Sequence, residues 1–143
     1  MEIKRTALVL HPAMDMFRLV QDVPSYPDVL SWCLRAEVHE QSAQHHLASL
    51  VVKVSGVTQK FTTRNRFVAG ELLTLSLVEG PFRNLAGEWR FEPLGEDGSK
   101  ITLVLDFDFS SRVLSSAFRR GFTHVADKLV SEFCNRADNV YGA

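Results

Sequence analysis

The stretch LAGEWRFEPLGEDGSKITLVLDFDF, residues 85–109, decides the fold. Leu85, Gly87, Trp89 and Phe91 alternate with Ala86, Glu88, Arg90 and Glu92. Gly95-Glu96-Asp97-Gly98 then turns the chain, and Ile101, Leu103, Leu105, Phe107 and Phe109 alternate with Thr102, Asp106 and Asp108. A period of two with one apolar face is a half-buried strand, and two such runs across a short Gly-rich turn are an antiparallel hairpin.

The same reading extends backward along the chain. Leu73, Leu75 and Leu77 form one inward row, closed by the turn Gly80-Pro81. Between Gly56 and Gly70, Val57, Phe61 and Phe67 oppose Thr58, Lys60, Thr62, Arg64 and Arg66. Ala48, Leu50, Val52 and Val54 make a return strand, reached through the polar turn from Glu40 to Gln44. Before it Leu34, Ala36 and Val38 alternate with Arg35, Glu37 and His39. Glu2 to His11 reads as a first strand, and Pro12 opens a helix carrying Met14, Phe17, Leu19 and Val20. Pro24 and Pro27 leave room only for a short helical turn up to about Leu30.

Forward of residue 109, Ser110 and Ser111 offer helix caps, and Gly142 follows the last apolar residues as a stop. Leu114, Phe118, Phe122, Val125, Leu129, Phe133, Ala137 and Val140 recur at steps of three or four, one stripe of a helix about 45 Å long. Hairpin-length connections demand an antiparallel sheet, and its apolar face needs a cover. The expected architecture is α+β: a curved antiparallel sheet of six to seven strands around one long C-terminal helix, with short N-terminal helices. Residues 1–143 are expected to form one domain.

Composition narrows the function classes. The 143 residues are 45% hydrophobic and 23% charged, with a formal charge of -1, so bulk charge does not drive the chain onto nucleic acid, although a local basic face can. No apolar run approaches the ~20 residues of a membrane helix. The start Met1-Glu2-Ile3-Lys4-Arg5 does not read as a signal peptide. Cys33 and Cys134, a hundred residues apart with no C-x-x-C pair, fit free thiols in a reducing cytoplasm better than a disulfide scaffold, with a pairing between the two left open. A cytoplasmic location, peripheral to the inner face of the membrane at most, is the expectation.

Three blocks of the sequence carry a family resemblance. They are Val23-Pro24-Ser25-Tyr26-Pro27 with Trp32-Cys33; Glu79-Gly80-Pro81-Phe82-Arg83 with Leu85, Gly87, Trp89 and Phe91; and Phe133, Arg136, Ala137 with Val140-Tyr141-Gly142. In this order and spacing the chain resembles the coenzyme Q-binding protein family, which includes the bacterial ribosome association toxin. That family lies in the START-like, or polyketide cyclase/dehydrase, helix-grip superfamily. The resemblance implies an apolar ligand held between sheet and helix, and it implies two divergent roles. One branch binds coenzyme Q or a similar polyisoprenoid and supports respiratory electron transport. The other acts on the large ribosomal subunit and blocks its joining to the small one.

The first expectation is therefore a non-enzymatic lipid-binding protein, with ubiquinone or another polyisoprenoid as its bound lipid. Its pocket would be lined by Leu50, Phe61, Leu75, Trp89, Phe91, Phe107, Phe118, Phe122 and Leu129, with Tyr26, Trp32, Phe82 and Arg83 near an opening. Periodicity alone leaves a solid aromatic core as the ordinary alternative. The second expectation is a ribosome association toxin that meets phosphates through Lys60, Arg64, Arg66, Arg119 or Arg120, with Arg83 as a further candidate. Its partner would be the large ribosomal subunit, with room left for an antitoxin-like partner. A solvated strand face is the plain account of the basic row.

A cyclase-like enzyme is a third class with little support. His45 and His46 are adjacent, so on a strand they point to opposite faces and make a poor metal pair. His11 and His39 have no carboxylate or Cys at ligand spacing, and neither Ser110 nor Ser111 sits in a G-x-S-x-G elbow. No catalytic or metal residue is assigned.

Overall fold

The computed structural model describes residues 1–111, 113 and 115–142. Among these residues the strands are β1 (Glu2–Val9), β2 (Cys33–Gln41), β3 (His45–Val54), β4 (Val57–Val68), β5 (Leu72–Glu79), β6 (Phe82–Leu94) and β7 (Gly98–Phe109). They form one seven-stranded antiparallel sheet in the order β1-β7-β6-β5-β4-β3-β2. Each strand from β2 to β7 pairs with its neighbour in sequence, as short turns require, while β1 lies against the last strand.

Between β1 and β2 come α1 (Ala13–Gln21), a 3-10 turn at Val23–Ser25, and α2 (Tyr26–Val29). Two helices, α3 (Ser116–Asp127) and α4 (Leu129–Tyr141), follow β7 and pack on the sheet. The architecture is the expected helix-grip one.

Register shifts at Cys33/Arg35, Val38/Glu40, Thr62/Thr63 and Phe82/Asn84 add local twist, which bends the sheet around its helices. The concave face collects the core: Phe61, Phe67, Leu73, Trp89, Phe91, Ile101, Leu103 and Phe107 from the strands, Phe118, Phe122 and Phe133 from the helices.

Three expectations need correction. The first bulge moves Cys33 into the core and leaves Leu34 48% exposed, reversing the inward face expected at the start of β2. The C-terminal helix is two segments of 12 and 13 residues, each about 20 Å long, parted at Lys128. There φ and ψ are -100° and 0°, and the Lys128 amide turns back to the Val125 and Ala126 carbonyls. The break lets α3 press on β1 and β3 while α4 follows β1, β7 and the N-terminal helices. Third, the helix is capped by Ser115, whose hydroxyl accepts from the Phe118 amide at 3.0 Å, not by Ser110 or Ser111. The Ser110 amide instead donates to the Pro81 carbonyl at 3.0 Å and so belongs to the sheet edge of the β6–β7 pair. Leu114, expected on the helical stripe, lies outside the described residues.

Candidate functional site

Between the sheet and the helices lies an apolar cavity of about 80 Å3. β3 supplies Leu50, β4 Phe61, β5 Leu75 and β6 Trp89; α3 supplies Phe122, α4 Leu129, and the segment around α2 supplies Tyr26 and Trp32. Those eight expected residues are brought together. Leu30, Leu85, Leu105, Ala126 and Phe133 complete the wall. Leu85, Leu105 and Phe133 sit on stripes whose periodicity already pointed inward, but periodicity gives a face and not a depth.

Five residues expected at the pocket or its mouth lie elsewhere. Phe82 is buried in an aromatic cluster, with ring centroids 5.5 Å from Phe61, 5.1 Å from Phe122 and 5.7 Å from Phe109. Gly80 makes that packing feasible, because a Cβ there would stand 2.5 Å from Phe61 Cβ. Arg83 points away from the cavity: its side chain is 76% exposed and reaches Asp108 at 3.4 Å. The Asp108 carboxyl is held below the usual carboxylate range, chiefly by the N-terminal ammonium of Met1 and then by Arg83. Phe91, Phe107 and Phe118 are solid core, each at most 2% exposed.

The cavity wall offers little chemistry. Tyr26 donates its hydroxyl to the Val20 carbonyl at 2.5 Å, and burial raises its pKa further above the ordinary phenol value. Cys33, beneath the same corner, donates its thiol to the Arg35 carbonyl at 3.4 Å, and burial pushes its pKa up to about 11. A thiol held protonated in this way is a poor nucleophile.

The convex face of the sheet has a different character. Lys60, Arg64 and Arg66 share one face of β4 over a span of about 20 Å, and the ion pairs among the described residues include none of them. Between Lys60 and Arg64, the Thr62 hydroxyl is tied to Ser49 at 2.6 Å, and Ser49 to His39 Nε2 at 2.7 Å. Arg119 and Arg120 lie on α3, across the sheet from this row, so the five basic residues do not form one patch. Arg119 is engaged in packing, donating to the Val113 carbonyl from Nε at 3.1 Å and Nη2 at 2.5 Å, with its guanidinium 5.7 Å from the Phe109 ring centre.

Sequence reasoning passed over a polar cluster on the concave face. His46, 2% exposed, accepts at Nε2 from the Asn65 amide at 2.7 Å, and Thr63 donates to Asn65 Oδ1 at 2.9 Å. The signal was present, because Thr63 and Asn65 share the parity of Phe61 and Phe67.

A family model described as polyketide cyclase / dehydrase and lipid transport matches residues 9–134. The chain belongs to that family. Among curated members, the ribosome association toxin RatA of Vibrio cholerae serotype O1 is 42% identical over 141 residues, covering 99% of this chain and 98% of that protein. RatA of Pseudomonas aeruginosa is 41% identical over 140 residues, covering 98% and 97%. The mitochondrial coenzyme Q-binding protein COQ10 homolog B of Xenopus laevis is 27% identical over 132 residues, covering 89% of this chain and 54% of that protein.

Two solved structures share the fold. A START superfamily protein from Mycobacterium smegmatis superposes with a TM-score of 0.81 at 17% identity, over 97% and 98% of the two chains. An aromatase/cyclase from a Streptomyces species gives 0.79 at 19% identity, over 100% and 98%. Among the described residues, no helix of this polyketide cyclase family member is long and apolar enough to cross a membrane.

Proposed function

We propose that this protein is a ribosome association toxin: a non-enzymatic protein of the cytoplasm that binds the large ribosomal subunit and keeps it from joining the small one. The observation that carries this reading is the end-to-end similarity to RatA, at 42% identity over 99% of this chain. The coenzyme Q-binding relative is more distant and matches over only 54% of its own length.

The interior supports the same preference. Pockets that hold small ligands measure about 300–1,000 Å3, and the cavity here is about 80 Å3. A quinone ring with an isoprenoid tail needs several times that space. Among the described residues, the cavity wall also lacks the acid or base that a cyclase requires: Tyr26 is the one titratable group among them and already has a partner. The convex face offers what a ribosome would engage, a row of cations without carboxylate partners among the described residues.

The test is sedimentation with separated ribosomal subunits. The protein is expected to travel with the large subunit, to suppress subunit joining, and to dissociate as salt rises, because phosphate contacts release counterions. Reversal of charge at Lys60, Arg64 and Arg66 together is expected to abolish co-sedimentation while the thermal melt stays unchanged. Failure of the wild-type protein to bind either subunit would overturn the reading.

A further inference from the structure

At one end of the basic row lies a depression of about 560 Å3, formed where the β2–β3 turn meets the end of β4. It is lined by Ser42, Ala43, Gln44 and His45 on one side and by Arg66 to Ala69 on the other, so among the described residues no acidic side chain lines it, in a chain with a net charge of -1. His45 and Arg66 are direct cross-strand partners, which sets their side chains on the same face as neighbours.

Backbone and side-chain bonds fix this arrangement. The Phe67 amide donates to the Gln44 carbonyl at 2.9 Å, and the Ser42 amide to the His45 carbonyl at 2.9 Å. The His45 ring is oriented by a hydrogen bond between Nδ1 and the Ser42 hydroxyl at 2.6 Å, which leaves Nε2 without a partner among the described residues. Beneath, on the opposite face, the His46–Asn65–Thr63 cluster holds the same strand ends together. Val68, 51% exposed, and Ala69 supply an apolar wall beside the polar one.

An arginine fork, an oriented imidazole and a small apolar wall suit a nucleotide: the cation and the imidazole meet the phosphate, and the wall meets the flat face of a base. We propose that this depression takes one unstacked nucleotide of single-stranded ribosomal RNA, its phosphate held by Arg66 and His45 and its base laid against Val68 and Ala69. This inference rests on the ribosomal reading and adds a specific subsite to it.

The test is ultraviolet cross-linking of the protein bound to purified large subunits, followed by digestion and mass spectrometry of nucleotide-bearing peptides. Adducts are expected within residues 42–45 or 66–69. Two variants separate the two halves of the site. Arg66→Glu is expected to weaken subunit binding at least tenfold and to lower the salt slope by about 0.7, the value of one single-strand phosphate contact. Ala69→Trp, which fills the apolar half, is expected to weaken binding with the salt slope unchanged. If the wild type binds the subunit but cross-links only elsewhere, and both variants bind normally, the subsite is wrong and the ribosomal reading stands. If the wild type does not bind, both fall.

Discussion

His46 illustrates how one residue ties stability to pH. Burial, and then the neighbouring His45, lowers its pKa, while its Nε2 accepts from Asn65 and so must be unprotonated in the folded state. Below about pH 6.5 the unfolded chain takes up a proton at this position that the folded chain refuses. The folded state therefore loses stability as pH falls through that value and keeps it fully above. Urea unfolding measured between pH 7.5 and 5 is expected to show this decline, and His46→Gln is expected to flatten it. An unchanged slope in the variant would mean that His46 contributes nothing to it.

The two helices that cover the sheet are set by close contacts at single points. β3 and β4 join through Ser55-Gly56, whose φ angles of 53° and 78° are those of a two-residue type I′ turn. α3 lies against this turn at Gly121, where a Cβ would stand 2.5 Å from both Ser55 Oγ and Val54 Cγ1. Gly121→Ala would gain about 1 kcal/mol of helix propensity in a free helix, but overpacking costs about 1–3 kcal/mol, and the stiff Val54 side chain has little room to give. A net loss of up to about 2 kcal/mol is expected in denaturant unfolding, and a stabilised variant would show that α3 shifts freely. The strands were legible in the sequence because each presents one apolar face, and a wrong parity would bury charge. The break at Lys128 was not, because the stripe through Phe122, Val125, Leu129 and Phe133 runs across it without interruption. Tertiary packing on different strands parts the helix where local propensity would not. Nor did the alternation of β2 announce its bulge, since a single inserted residue leaves composition unchanged while exchanging Cys33 for Leu34 at the core.

For the molecule as a whole, the question is whether the grip of sheet on helices holds a ligand or merely closes. Periodicity named most of the cavity wall, yet volume depends on how rings interdigitate. Here Phe61, Phe82, Phe107, Phe109 and Phe122 pack edge to face and fill the end of the groove that the sequence left open. Both tryptophans of the chain, Trp32 and Trp89, line what space remains, so intrinsic fluorescence reports directly on its contents. A short-chain ubiquinone titrated into the wild-type protein is expected to leave that emission unchanged beyond the loss seen with free tryptophan. Phe122→Ala removes a ring from the wall, at a cost of about 3–5 kcal/mol, and is expected to admit the quinone with saturable quenching if the variant remains folded by circular dichroism. Saturable quenching of the wild type, with one quinone recovered per protein by lipid extraction, would instead mean that the interior opens to admit a ligand larger than the cavity described. In that case the protein would be a lipid carrier whose closed form is the one described, and the basic face of β4 would need a different partner.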